Sequence, residues 1–64
     1  MSGAMDDAER LPKLRHDIAN PLAALLAETQ LLLMEPEALT PEVATALKEI
    51  EAMAIRMRTL LREP

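Results

Sequence analysis

The sequence predicts an all-α fold: an antiparallel two-helix hairpin that pairs as a homodimer into a four-helix bundle. Three observations carry this. Apolar residues recur at helical spacing along two long runs. Pro36 and Pro41 bracket one short connector between those runs. Half of the 64 residues are apolar, yet none is aromatic and none is cysteine. A chain this short, with no disulfide and no Cys-based metal site, finds burial most readily in a second copy of itself.

The elements follow in order. Residues 1–6 open on small, uninformative side chains with a second methionine at Met5. They are expected to be a disordered expression remnant, which makes the chain a piece of something larger. The folded unit is expected over residues 7–64. Asp6, Asp7 and Glu9 place acids where a helix N-terminus favours them. Pro12 either sits in the first turn or kinks a helix that has already begun. Leu11, Leu14, Ile18, Leu22, Leu25, Leu32 and Leu33 then follow the spacing of an amphipathic helix, placing helix 1 at about 8–34. The Leu31–Met34 run reads as a wide core at the loop end, and is also the one place where exposed apolar surface for a partner could remain. Pro36 biases Glu35 away from helical geometry, so residues 35–40 form the connector. Thr40-Pro41-Glu42 is a helix start: an N-cap hydroxyl, a proline at the first position and an acid in the first turn. Helix 2, at about 41–62, carries Val43, Leu47, Ile50, Ala54, Met57 and Leu61 in alternating steps of four and three, widened by Ala46, Met53 and Leu60. That spacing suits the left-handed packing of helical bundles.

Composition excludes several function classes. The net charge is −4, which argues against the phosphate neutralisation that nucleic acids require. With no Phe, Tyr or Trp there is no platform for stacking bases. A single histidine cannot build a His-rich metal site, so no metal is expected. No apolar run approaches the roughly 20 residues of a transmembrane helix, and no direct membrane contact is expected.

The chemistry concentrates in Arg15-His16-Asp17-Ile18-Ala19-Asn20-Pro21-Leu22. Taking Leu11, Leu14, Ile18, Leu22 and Leu25 as the buried direction of helix 1, His16 and Asn20 each lie roughly 160° away from it, on opposite sides of the pole. They therefore share one solvent-facing ridge, one turn apart, which Ala23 and Ala27 continue. Small side chains there leave room for a docking protein. Asp17 sits on the flank, roughly 100° from the core direction. Pro21 has no N–H to bond the Asp17 carbonyl, and a proline inside a helix costs about 3 kcal/mol. An exposed imidazole is largely neutral at pH 7 and nucleophilic. An adjacent carboxylate can fix its tautomer and take up its proton, leaving the other ring nitrogen to attack. Phosphoryl transfer suits such a pair, because it depends on positioning and charge.

His16-Asp17-Ile18-Ala19-Asn20-Pro21-Leu22 resembles the phosphoacceptor box of sensor histidine kinases: histidine, an acid, an apolar residue, any residue, Asn or Thr, Pro, Leu. The resemblance extends over about residues 8 to 63, since that family's dimerisation and phosphotransfer domain is a helical hairpin pairing into a four-helix bundle. It implies that His16 is the phosphorylated residue and that Asp17 activates it. It implies that Asn20 orients water against a regulator's aspartyl phosphate and that Pro21 is the family's helix-bending proline. The implied partners are a second copy of the chain, a kinase ATP-binding domain and the receiver domain of a response regulator, all in the cytoplasm. Arg-His-Asp with an Asn four residues after the His also resembles the sporulation phosphotransferases, though Pro21-Leu22 fits the kinase box better.

One departure from complete kinases matters. The chain has a single glycine, Gly3, and no phosphate-cradling loop. No cofactor is therefore expected on this chain; ATP and magnesium belong to an ATP-binding domain outside it, and the chain with ATP alone is expected to be inert. Arg56, Arg58 and Arg62 bracket the expected level of His16 on helix 2 and are candidates to contact a phosphate or an acidic partner; as cations near a helix C-terminus they also complement its dipole. The competing class is a structural dimerisation hairpin whose histidine is incidental. The hairpin and its charge fit both classes, and the box separates them.

Overall fold

A computed structural model describes residues 7–63; the expectation for residues 1–6 lies outside them. Two helices, α1 (Asp7–Leu33) and α2 (Pro41–Arg62), lie side by side, joined by a single turn of 3₁₀ geometry at Pro36–Ala38. Both Pro12 and Pro21 lie inside α1. The helix therefore begins ahead of Pro12 and continues through Pro21, where the carbonyl of Asp17 has no helical N–H partner.

The connector closes without glycine, and among the described residues none takes a positive φ. The Met34 amide bonds back to the Leu31 carbonyl at 3.2 Å, tightening the end of α1 before Pro36 stops it. The Ala38 and Leu39 amides then bond the Glu35 and Pro36 carbonyls, both at 3.0 Å. The start of α2 is built as its sequence dictates. Thr40 is the N-cap and its hydroxyl accepts the Val43 amide at 3.2 Å; Pro41 and Glu42 complete the first turn.

The helices meet along a narrow seam. Leu22 and Leu26 of α1 pack with Ala54 of α2, and Leu61 closes the seam at its open end. Arg15 and His16 in the first half of α1 lie level with Arg58 and Arg62 near the end of α2, which makes the hairpin antiparallel. Thr29 is the buried polar residue of the seam, and its hydroxyl donates to the Leu25 carbonyl at 2.7 Å, so nothing is left unsatisfied.

The apolar stripe expected on α1 divides in two. Of Leu11, Leu14, Ile18, Leu22 and Leu25, only Leu22 is buried in the seam. The others form a second apolar row with Leu32, roughly 75° around the helix. On α2, Val43, Ile50, Met53, Met57 and Leu60 form a matching row roughly 70° from the seam. In an antiparallel hairpin both rows fall on the same side, giving one continuous apolar face. Leu31 and Met34 depart from the expectation of a wide core at the loop end: both are exposed, and Leu31 points away from both rows because it lies roughly 180° from Leu22.

Burial of a leucine contributes about 1.5–3 kcal/mol, while ordering each residue's backbone costs about 1–2 kcal/mol. Three buried apolar residues cannot by themselves hold helices of 27 and 22 residues. The hairpin is half of a larger core.

Candidate functional site

His16 lies on the side of the seam opposite the apolar face. It sits roughly 100° from the seam direction on α1, and Asn20 roughly 140°. Both lie on the groove side of α1, at the level of the last turns of α2. There, Arg15, His16, Asn20 and Ala23 of α1 meet Arg58, Leu61 and Arg62 of α2 around a shallow groove of about 400 Å³. Ala19 forms part of its lining, and its small side chain lets the helices approach.

Each lining residue is placed by simple periodicity. Arg58 and Arg62 follow Ala54 by four and eight residues, so they run along the seam edge of α2. Arg15 precedes Ala19, Leu22 and Leu26 by four, seven and eleven residues, which sets it on the seam line of α1 at the open end of the hairpin. Arg56 follows Ala54 by two residues, roughly 200° around α2, and does not line the groove. The groove thus carries three guanidiniums and no carboxylate, in a chain whose net charge is −4.

Asn20 and His16 are in contact, with Asn20 Nδ2 3.4 Å from His16 Nε2. In the tautomer protonated on Nδ1, the amide donates to the Nε2 lone pair. Asp17 is placed differently. Its Oδ2 accepts from Lys13 Nζ at 2.8 Å, an ion pair one turn long on the outer flank of α1. It shares a recess with Arg10, Lys13 and Leu14, outside the histidine groove. The Lys13 hydrogen bond holds the Asp17 carboxyl below the usual carboxylate range, with the Lys13 and His16 charges adding in the same direction.

The histidine, the amide and two of the three candidate arginines of α2 are thus brought together. The acid stands beside them, turned toward a lysine. Sequence reading did not single out Lys13, and it named Arg15 at the head of the histidine stretch without giving it a part in the site. Lys13 was detectable as a cation four residues before Asp17; Arg15 required the seam line, which only the packed hairpin defines.

Residues 8–63 match the family described as His Kinase A (phospho-acceptor) domain. The chain belongs to that family: the dimerisation and phosphoacceptor domain of two-component histidine kinases, whose hairpins assemble as four-helix bundles. No curated protein and no solved structure matches the chain. Among the described residues, no group of His, Cys, Asp and Glu could hold a metal ion, and no helix is long and apolar enough to cross a membrane.

Proposed function

We propose that this hairpin pairs with a second copy through its apolar face and carries phosphoryl groups on His16. The phosphoryl group comes from a nucleoside triphosphate held by a kinase ATP-binding domain, for which these 64 residues offer no candidate. It leaves to an aspartate on the receiver domain of a response regulator. This places the domain in the cytoplasm, where nucleotide and regulator are found.

In the first step the bond between the γ-phosphorus and the departing nucleoside diphosphate breaks as a P–N bond forms at the imidazole. In the tautomer protonated on Nδ1, Nε2 holds the lone pair and meets Asn20; it carries the attack, and the proton on Nδ1 passes to Asp17. In the second step that P–N bond breaks and the receiver aspartate becomes an acyl phosphate. Arg58 and Arg62 supply charge to the transferring oxygens or to the acidic rim of the receiver site. In a separate hydrolytic reaction Asn20 orients water against the aspartyl phosphate of the receiver; the bond from phosphorus to the carboxyl oxygen breaks, releasing inorganic phosphate and the free aspartate, and an amide can orient that water without exchanging a proton.

The observation that carries this reading is the carboxylate-free groove that holds His16 and Asn20 beside Arg58 and Arg62. The test is to mix the chain with an isolated kinase ATP-binding domain and labelled ATP. Acid-labile phosphate should appear on the chain, and none should appear on His16→Ala or with ATP alone. Label that persists in His16→Ala would overturn the assignment.

A further inference from the structure

We propose that Lys13 is a positioning residue for this chemistry: its ammonium holds the Asp17 carboxylate on the flank of α1, out of reach of His16, until the contact opens. The inference rests on the phosphotransfer reading above. Its evidence is a separation within five residues of one helix. His16 faces the groove shared with α2, while Asp17 faces a recess lined by Arg10, Lys13 and Leu14. No residue of α2 lines that recess. The groups around the carboxylate are therefore the cations Arg10 and Lys13 on one side and His16 on the other.

A base for His16 must accept a proton from the ring, which requires hydrogen-bond reach. The carboxylate instead bonds Lys13 Nζ at 2.8 Å. That contact opposes the reaction twice: it occupies an acceptor oxygen, and it favours the ionised acid, making it a weaker base. The ion pair is also easy to open. Its side chains are 57% and 52% exposed, so solvent and salt screen it. A docking ATP-binding domain that offers Lys13 another acid would free Asp17 at the moment the phosphoryl donor arrives. The pair is thus a latch that couples partner docking to base activation.

Lys13→Met removes the charge and keeps the chain length at an exposed helical position, and Lys13→Arg restores the charge. With a kinase ATP-binding domain and labelled ATP, Lys13→Met should phosphorylate about two- to fivefold faster than the unsubstituted chain at low salt, the range an exposed ion pair can hold back. The difference should vanish near about 1 M salt, and Lys13→Arg should behave as the unsubstituted chain does. An unchanged or slower Lys13→Met overturns the inference. A second arm needs no phosphotransfer, so it separates this failure from failure of the functional reading. In Lys13→Met the Asp17 carboxyl carbon should titrate nearer the usual carboxylate range, and the His16 ring nitrogens should respond to that titration by NMR. Identical Asp17 titrations and identical ring responses in all three proteins would overturn the latch, whether or not His16 takes up phosphate.

Discussion

The two faces of this hairpin are built from different residues for different ends. One carries Leu11, Leu14, Ile18 and Leu25 of α1 with Val43, Ile50, Met53 and Met57 of α2, all exposed in the single chain and none polar. The other carries His16, Asn20, Ala23, Arg58 and Arg62 around a groove. The seam between them, Leu22, Leu26 and Ala54, is too small to stabilise either. The apolar face therefore supplies the stability that lets the other face be given over to chemistry. Because the faces lie on opposite sides of one layer of helices, substitutions on the groove face should leave the apolar face, and with it the fold, nearly untouched. The predictions below either break that separation or sharpen it.

The largest effect should come from the apolar face. Leu25→Asp or Ile50→Asp would place an unpaired carboxylate in the dimer core, at a cost of several kcal/mol. Sedimentation at micromolar concentration should show loss of the dimer, and circular dichroism should show loss of helix in the same samples. A stable, well-folded monomer would break the comparison at its root. Leu26→Ala acts on the seam and should cost about 2–5 kcal/mol, read as a lowered thermal midpoint. His16→Ala is the counterpart on the other face. It should abolish phosphoryl transfer while dimer and helix content stay as they were.

These outcomes follow how much each feature depends on local spacing. The helices, the Thr40 cap and the Pro36 stop were legible because each rests on a few neighbouring residues. The division of the α1 stripe was not. A helical wheel gives one apolar direction of generous width, and only the packed hairpin assigns Leu22 and Leu26 to α2 while leaving Leu11, Leu14 and Leu25 on the outer row. The site shows the same limit. His16 and Asn20 were visible on one ridge from their spacing of four. That the ridge overlooks Arg58 and Arg62 but not Arg56 depends on rotation of α2 about its own axis, which the seam fixes. The Lys13 ion pair that orients Asp17 lay within reach of the same spacing rule, a cation four residues before the acid.

A middle-sized effect should divide the ridge by chemistry. On the proposed reading Asp17 is the proton acceptor, so Asp17→Ala should slow phosphorylation of His16 by about a hundredfold, the lower end of what a general base contributes. It should leave dephosphorylation of a phosphorylated receiver largely intact. Asn20→Ala should do the converse, because water orientation needs the amide and formation of phosphohistidine does not. Both activities are measured in a kinase that carries this hairpin and its ATP-binding domain. Equal loss of both activities in the two variants would mean that the ridge works as one unit.

The smallest effect should separate the arginines from one another. Arg58 and Arg62 line the groove with His16, and Arg56 lies roughly 200° from Ala54 on the far side of α2. Of the three, Arg62 stands in the last turn of α2, where a cation complements the helix dipole. A general role in stability or solubility would make the three equivalent. A role at the groove would not. Arg58→Ala and Arg62→Ala should each slow transfer between His16 and a receiver domain by about two- to fivefold, as expected for exposed charges, and the deficit should shrink in added salt. Arg56→Ala should transfer at the unsubstituted rate and keep its thermal midpoint. Lost helix-dipole complement would then appear in the Arg62→Ala melting curve, and lost phosphate contact in the Arg58→Ala and Arg62→Ala rates. Equal rates across the three variants would assign the arginines to the helix terminus and leave His16 and Asn20 as the groove's working residues.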